Sequence, residues 1–222
     1  MSARSLAACW VLIPADGRRL VVVPSLCRGE GKPERGGIIK KPKTIKPEDT
    51  EKILLQLEGQ DKLIFRLSIE SGLRISDVLN LRAWYLDKII YVQEKKTGKH
   101  RIITLSDELY ALLKPLKEFA VQNNDKEAYA FPTARRGLRK SIHRTTYHRH
   151  LKRACKTLKI DFSAHSTRKL YAQELLKATG DIFEVQKALN HKYLIDTCIY
   201  LDVDFKEFIK AATNTILLQK NL

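Results

Sequence analysis

The chain has 222 residues, of which 44% are hydrophobic, so it can bury a core as one large domain or two small ones. Lys and Arg number 41 against 25 Asp and Glu, and the net charge of +16 predicts a polyanionic partner, most often nucleic acid. A long apolar run and a basic amphipathic anchor are both missing from the sequence, which argues against a membrane protein.

Residues 1–41 are predicted to be a poorly structured leader and linker. The alternative for its first part is a short β-hairpin, in which CWVLIP and LVVVP flank an Asp16–Gly17 turn. Residues 27–47 are rich in Gly, Pro and Lys, a composition typical of linkers. We therefore place the boundary of the main domain here, and expect that domain to cover residues 42–222.

Helical patterns begin at about residue 44. Pro47 and the two acids after it suit a first helical turn, and a second helix through DKLIFRLSIES should end at Gly72. SGLRISDVLNLR then reads as a turn into another helix. Residues 88–105 change to a β-rich pattern, in which KIIYVQ and RIITL are predicted to pair as strands around a Thr97–Gly98 turn.

The next stretch of sequence is strongly basic. Ser106 is expected to cap a helix that runs to about Gln122, with Pro115 kinking or dividing it. Residues 128–160 contain ten Lys or Arg, three His and no acid. Apolar residues recur there at helical spacing: Tyr147, Leu151, Ala154 and Leu158. We predict a helix with one buried face and a cationic remainder that faces phosphates. The candidate DNA-binding residues of the whole basic stretch are Arg135, Arg136, Arg139, Lys140, Arg144, Arg149, Lys152 and Arg153.

The stretch from residue 163 to 201 carries the residues best suited to chemistry on a phosphate. His165 and Arg168 are three residues apart, so at a helix start they project to one side. His191 follows two predicted helices, and Tyr200 lies nine residues beyond it. An arginine grips phosphate oxygens bidentately, imidazoles move or share protons, and a phenol can attack phosphorus. The last predicted helix, residues 204–219, has an apolar stripe that needs a partner in this chain or another.

Two upstream residues extend this set. Arg74 lies where a glycine turn meets a helix, and Lys96 lies at the tip of the predicted hairpin, where Lys95 and Lys99 compete for its role. The alternative for Arg74 is a surface charge that pairs with Asp77.

The ordered set of Arg74, Lys96, His165-x-x-Arg168, His191 and Tyr200 resembles the catalytic domain of the tyrosine recombinases, or phage integrase family. The stretches that carry the resemblance are SGLRISDVLNLR, EKKTGKHRIITL, SAHSTRKLYAQELL and ALNHKYLIDTCIYL, and it covers about residues 42–215. It implies an α+β, mainly α fold: a helical bundle with one small antiparallel sheet.

The resemblance also implies a reaction. Tyr200 would attack a DNA phosphodiester and form a 3′-phosphotyrosyl bond, Arg74 and Arg168 would hold the non-bridging oxygens, and Lys96 would protonate the leaving oxygen. His165 would accept the proton of the tyrosine, and His191 would bond a phosphate oxygen. The bond energy is retained, so no ATP is expected. No metal or other cofactor is expected either, because the guanidinium pair takes the electrostatic role of a metal.

The expected partner is double-stranded DNA, bound by a homo-oligomer that forms a tetrameric synapse, with room for an accessory DNA-bending protein. Cys9, Cys27, Cys155 and Cys198 lack metal-ligand spacing and read as free thiols in a reducing compartment, so we expect a cytoplasmic, nucleoid-associated protein.

Two alternatives to a site-specific recombinase stay open. About 40 residues precede the match, and they do not resemble the helical clamp domain of most family members. An inactive remnant that still binds DNA is therefore the first alternative. The second is a type IB topoisomerase, which uses similar residues to relax supercoils.

Overall fold

The computed structural model of the protein describes residues 10–15, 19–24, 47–133 and 137–204. The chain divides into two units, residues 1–40 and 41–222. In the first unit, β1 (Trp10–Ala15) and β2 (Arg19–Pro24) pair antiparallel, with Trp10 opposite Pro24 and Ala15 opposite Arg19. These two segments therefore have the hairpin arrangement that was the alternative to a poorly structured leader. That residues 42–222 form a separate domain stays a prediction.

The described part of the second unit is mainly helical, as predicted. Its helices are α1 (Pro47–Gln56), α2 (Gly59–Ser71), α3 (Ile75–Val78), α4 (Asp107–Gln122), α5 (Arg144–Thr157), α6 (Ala164–Thr179), α7 (Ile182–Ala188) and α8 (Leu194–Leu201). Its strands are β3 (Ile89–Gln93), β4 (His100–Thr104), β5 (Pro132–Thr133) and β6 (Gly137–Ser141). β3 pairs with β4 and β5 with β6, both antiparallel, so the strands form two separate pairs where we expected one small sheet.

The N-terminus of α4 illustrates how local sequence sets a helix boundary. The Ser106 side chain accepts a hydrogen bond from the Leu109 amide and caps α4, as predicted. The helix then continues through Pro115 to Gln122, so the predicted division does not occur. Pro115 removes the amide that would bond to the Ala111 carbonyl. Both residues are exposed, so water can take that place.

The main core forms around α2, whose Ile64, Phe65 and Leu67 are fully buried. The alternation of β3 and β4 puts one face of the hairpin into this core and leaves the other exposed. From α5, Tyr147 and Leu151 are buried in the same core, which confirms the predicted apolar face of this helix. A second buried cluster joins α6, α7 and α8.

The predicted last helix, residues 204–219, lies almost wholly outside the described residues. None of the helices in the described ranges has the length and apolarity needed to cross a lipid bilayer.

Candidate active site

The turn between α2 and α3 places the first arginine. Gly72 ends α2 in the left-handed region, with φ of 60°. A Cβ atom on Gly72 would lie 2.2 Å from the Cδ1 atom of Tyr171 on α6, so only glycine lets the two helices approach this closely. Arg74 follows as the extended N-cap residue of α3. The turn at Gly72 therefore determines the position of Arg74 between α2 and α3.

The second arginine comes from the first turns of α6. A capping box between Ser163 and Ser166 begins this helix, and Arg168 is 4% exposed. Its Nη1 atom donates to the Gly72 carbonyl at 2.7 Å, and its Nη2 atom donates to the Leu189 carbonyl at 2.6 Å. Burial and the neighbouring Arg74 charge lower the pKa of Arg168 to about 10, so it is still a cation at neutral pH. Carbonyls at the ends of two helices thus fix its guanidinium.

One buried carboxylate, that of Glu94, links both arginines. Its Oε2 atom accepts from Arg74 Nη1 at 2.6 Å and from Thr97 Oγ1 at 2.8 Å, while its Oε1 atom lies 3.9 Å from Arg168 Nη1. Burial would raise the pKa of Glu94, but the hydrogen bonds from Thr97 and Arg74 hold that pKa below its ordinary value, so the group is ionised at neutral pH. The partner of Arg74 is thus Glu94 and not Asp77, the predicted alternative. Asp77 accepts from the Lys95 amide at 3.0 Å.

Lys96 lies at the tip of the β3–β4 hairpin and is exposed. The turn closes through a bond from the Gly98 amide to the Glu94 carbonyl at 2.8 Å, and Gly98 has φ of 67°. Lys95 and Lys99 are exposed as well. The charge of Lys96 is among those that lower the pKa of His165.

The tyrosine and the second histidine come from the α8 region. The Tyr200 hydroxyl donates to the His165 carbonyl at 3.1 Å, and the rings of Tyr200 and His191 lie edge to face with centroids 5.7 Å apart. Burial raises the pKa of Tyr200 to about 12, against the opposing charges of Arg168 and Arg74. The phenol is therefore protonated at neutral pH and lies within the field of both arginines.

Both histidines are held neutral at physiological pH. Burial and the charge of Arg168 lower the pKa of His191 to about 4, and its Nδ1 atom lies 3.0 Å from the hydroxyl of Thr197. Burial, and then the charges of Arg144 and Arg168, lower the pKa of His165. A neutral imidazole can accept a proton, so both residues are available for proton transfer.

An ion pair between a buried lysine and an exposed aspartate joins the helix that carries the tyrosine to α6. The side chain of Lys169, 2% exposed, pairs with Asp202, which ends α8 in the left-handed region. Lys169 follows Arg168 directly on α6, and Asp202 lies two residues beyond Tyr200. This pair therefore holds the tyrosine helix against the arginine helix.

A basic groove of about 1000 Å³ runs along α5 and reaches His165. Four of the predicted DNA-binding residues line it, and we call them the groove cations: Arg144, Arg149, Lys152 and Arg153. Lys156 and Lys159 line it too, although the sequence prediction did not include them. Of the remaining predicted residues, Arg139 and Lys140 are exposed on β6, and Arg139 lies 3.6 Å from Asp125. Arg135 and Arg136 fall outside the described residues.

Residues 43–207 match the phage integrase family. The chain belongs to this family. It is 30% identical over 166 residues to the probable integrase/recombinase YoeC of Bacillus subtilis, and the matched region covers 72% of this chain and 86% of that protein. It is 27% identical over 182 residues to the tyrosine recombinase XerA of Pyrococcus horikoshii, which covers 80% of this chain but only 63% of that protein.

Solved structures of other integrase-family proteins share the fold. A crystal structure of XerA recombinase superposes with a TM-score of 0.61 at 21% identity, over 78% of this chain and 65% of that one. A lambda integrase fragment, solved as a dimer bound to a core site, superposes with a TM-score of 0.56 at 20% identity, over 74% and 61% of the two chains. The predicted family and fold class are thus confirmed. The matched region spans less than two thirds of the length of the Pyrococcus horikoshii XerA and of the lambda integrase fragment.

The structure gathers the predicted catalytic residues into one place, with Arg74, Arg168, His165, His191 and Tyr200 linked through direct contacts or mutual electrostatic effects. Their individual roles stay predictions. Sequence reasoning missed the polar residues behind them: Glu94, Lys169 and Thr197. Glu94 had left a signal, because it continues the alternation of Ile90 and Val92 on the buried face of β3. An acid at a position where that pattern calls for an apolar residue implies a buried cation.

Proposed function

We propose that this protein is a site-specific DNA recombinase that cleaves and rejoins duplex DNA through a covalent 3′-phosphotyrosyl intermediate. The observation that carries the proposal is that the guanidinium groups of Arg74 and Arg168 lie together beside the Glu94 carboxylate, at 2.6 and 3.9 Å. The charges of both arginines also act on the hydroxyl of Tyr200. Two arginine forks match the non-bridging oxygens of a phosphodiester, and in a partly buried site they stabilise the charge that develops there.

Cleavage begins with the Tyr200 oxygen attacking phosphorus. The hydroxyl first leaves the His165 carbonyl, to which it donates at 3.1 Å, and turns toward the phosphate. Its proton passes to the neutral imidazole of His165 as the new P–O bond forms. A phenol with a pKa near 12 is a weak nucleophile, so this proton transfer and the nearby Arg168 charge must both assist.

The bond between phosphorus and the 5′ oxygen breaks in the same step. Lys96 at the hairpin tip supplies the proton that this oxygen needs on leaving. His191, oriented through Nδ1 by Thr197, directs its Nε2 atom at a phosphate oxygen. The phosphotyrosyl bond retains the energy of the broken bond, so attack by a different 5′ hydroxyl joins a new strand without ATP.

The remaining surfaces support a role on duplex DNA. The groove cations and their neighbours on α5 lead from solvent to His165, as a path for a phosphate backbone would. Other members of the fold have been solved as a dimer on a core site and as a tetramer on a Holliday junction. We propose that this protein likewise pairs two sites in a tetramer, with room for a DNA-bending protein, in the cytoplasm at the nucleoid.

The test is formation of a covalent adduct. The protein is incubated with supercoiled plasmid that carries DNA flanking its own reading frame, then quenched with detergent. The wild type should give protein-linked nicks, and Tyr200→Phe should give none, since it lacks only the attacking hydroxyl. Tyr193→Phe, at the other end of the same helix, is the matched control and should cleave normally.

The same gel separates the alternatives. Recombinant products that require two copies of the site support the proposal. Relaxation on any plasmid, without dependence on a site, would assign a topoisomerase activity instead. If the wild type forms no adduct on any DNA, the protein is an inactive DNA-binding remnant, and an adduct with Tyr200→Phe would show that another residue attacks.

A further inference from the structure

The carboxylate of Glu94 lies at the centre of a cluster of arginines. Its side chain has no exposed surface, and three guanidinium groups surround it, those of Arg74, Arg101 and Arg168. One negative charge facing three positive charges leaves the cluster cationic. An internal counter-ion of this kind reduces the mutual repulsion of the arginines and still leaves them able to attract a phosphate.

The two oxygens of Glu94 have different environments. Oε2 accepts from Arg74 and Thr97, so the orientation of Arg74 is fixed by a short, charge-assisted bond. Oε1 is buried and has no hydrogen-bond partner among the described residues, although it lies 3.7 Å from Arg101 Nη1, which also lacks one. A buried charged oxygen without a hydrogen bond is costly, so its retention suggests a functional reason.

The same carboxylate reaches the hairpin tip. Thr97, directly after Lys96, donates its hydroxyl to Glu94 Oε2, the oxygen that holds Arg74. The amide of Lys95, directly before Lys96, donates to Asp77, three residues after Arg74. Two bonds therefore join the turn that carries Lys96 to the segment that carries Arg74.

We propose that Glu94 is a positioning residue for strand cleavage: its carboxylate orients Arg74 toward the scissile phosphate and ties that orientation to the turn that carries Lys96. The proposal rests on the proposed function, in which Arg74 and Arg168 hold the phosphate. The proposal also predicts an effect on phosphate binding that a merely structural role of Glu94 would not produce. A negative charge this close to the anion site weakens the binding of a free anion, while the fixed geometry favours the transition state.

Glu94→Gln separates these two effects, because it keeps the shape and the acceptor oxygen but removes the charge. The matched control is Glu108→Gln, which removes the same charge from an exposed carboxylate that lies 3.0 Å from Arg66. Binding of inorganic phosphate to the full-length protein is measured by calorimetry at constant ionic strength. The rate of covalent adduct formation is measured separately at saturating DNA.

Glu94→Gln should bind inorganic phosphate about tenfold more tightly than the wild type, because a nearby like charge is gone. It should form the adduct at least about tenfold more slowly, because a neutral acceptor holds Arg74 less firmly than the carboxylate does. Glu108→Gln should match the wild type in both measurements. Unchanged or weaker phosphate binding by Glu94→Gln, or a normal rate of adduct formation, would overturn the proposal.

A second variant decides the matter if Glu94→Gln does not fold. Thr97→Val removes the hydrogen bond to Glu94 and a bond of 3.3 Å from the Lys99 amide. Both lie at an exposed turn, so the fold should survive. Adduct formation should slow severalfold while phosphate affinity is unchanged, and Thr97→Ser should restore the rate. A normal rate with Thr97→Val would refute the link between Glu94 and the Lys96 turn. If the wild type itself forms no adduct, the proposed function fails, while the phosphate comparison still tests the effect of the Glu94 charge.

Discussion

Replacement of Gly72 by alanine should damage both the stability and the chemistry of this protein. Alanine in the left-handed region costs about 1–2 kcal/mol relative to glycine. The added Cβ would lie 2.2 Å from the Tyr171 ring, and relief of such an overlap in a packed region costs about 1–3 kcal/mol more. We therefore expect Gly72→Ala to lower the free energy of unfolding by about 2–5 kcal/mol in urea titrations.

Gly180 provides the matched control. It ends α6 with φ of 67°, much as Gly72 ends α2, but a Cβ there would meet nothing within 4 Å. Gly180→Ala should therefore lower the free energy of unfolding by the backbone cost alone, about 1–2 kcal/mol. Equal losses for the two variants would refute the close approach of Gly72 to Tyr171.

The functional effect should follow from the Gly72 carbonyl, which accepts from Arg168 at 2.7 Å. Any shift that relieves the overlap moves this carbonyl and so moves Arg168. At a temperature where both variants are folded, adduct formation at saturating DNA should slow markedly in Gly72→Ala and little in Gly180→Ala. Normal cleavage by folded Gly72→Ala would show that this carbonyl does not position Arg168.

Arg74→Lys and Arg168→Lys keep the charge but lose the planar fork, so the activation free energy of cleavage should rise by about 2–4 kcal/mol while DNA affinity falls much less. A variant that binds poorly yet cleaves normally at saturation would contradict this. Replacing the groove cations by glutamine should reduce the dependence of log Kd on log salt by up to about 0.9 per lost phosphate contact, and Arg139→Gln, whose charge Asp125 already offsets, should change it less. An unchanged slope would mean that the groove faces solvent. The folded-state pKa of His191, about 4, lies below its ordinary 6.5, so the unfolded chain binds the extra proton. The free energy of unfolding should fall as the pH is lowered from about 6.5 to 4, and less steeply in His191→Gln.

The parts of the site that depend on local spacing were predictable from the sequence. His165 and Arg168 share one side of the start of α6 because three residues make nearly one helical turn. Ser163 and Ser166 form the capping box of this helix. Gly72 ends α2 because glycine tolerates the left-handed conformation there. The buried face of α5 followed in the same way from apolar residues at helical spacing.

Other features depend on residues far apart in the chain. The sequence leaves the partner of Arg74 undecided, since the nearby Asp77 is as plausible by spacing as Glu94, 20 residues away. The short β5–β6 pair escaped prediction because a strand of two residues carries almost no periodic signal. Likewise, Lys169 is an ordinary helix lysine in the sequence, and only the approach of α8 to α6 makes it a buried partner of Asp202.

The sequence by itself determined the family, the helical character and the identity of the residues suited to attack a phosphodiester, because residue type and short-range spacing are local properties. The tertiary structure alone decided which charges meet. Glu94 is ionised and central because the start of α3, β4 and α6 bring three arginines around it. His191 is neutral because the packing of α6 and α8 buries it beside Arg168. Burial and long-range electrostatics arise only when distant segments pack together, so local sequence patterns do not predict them.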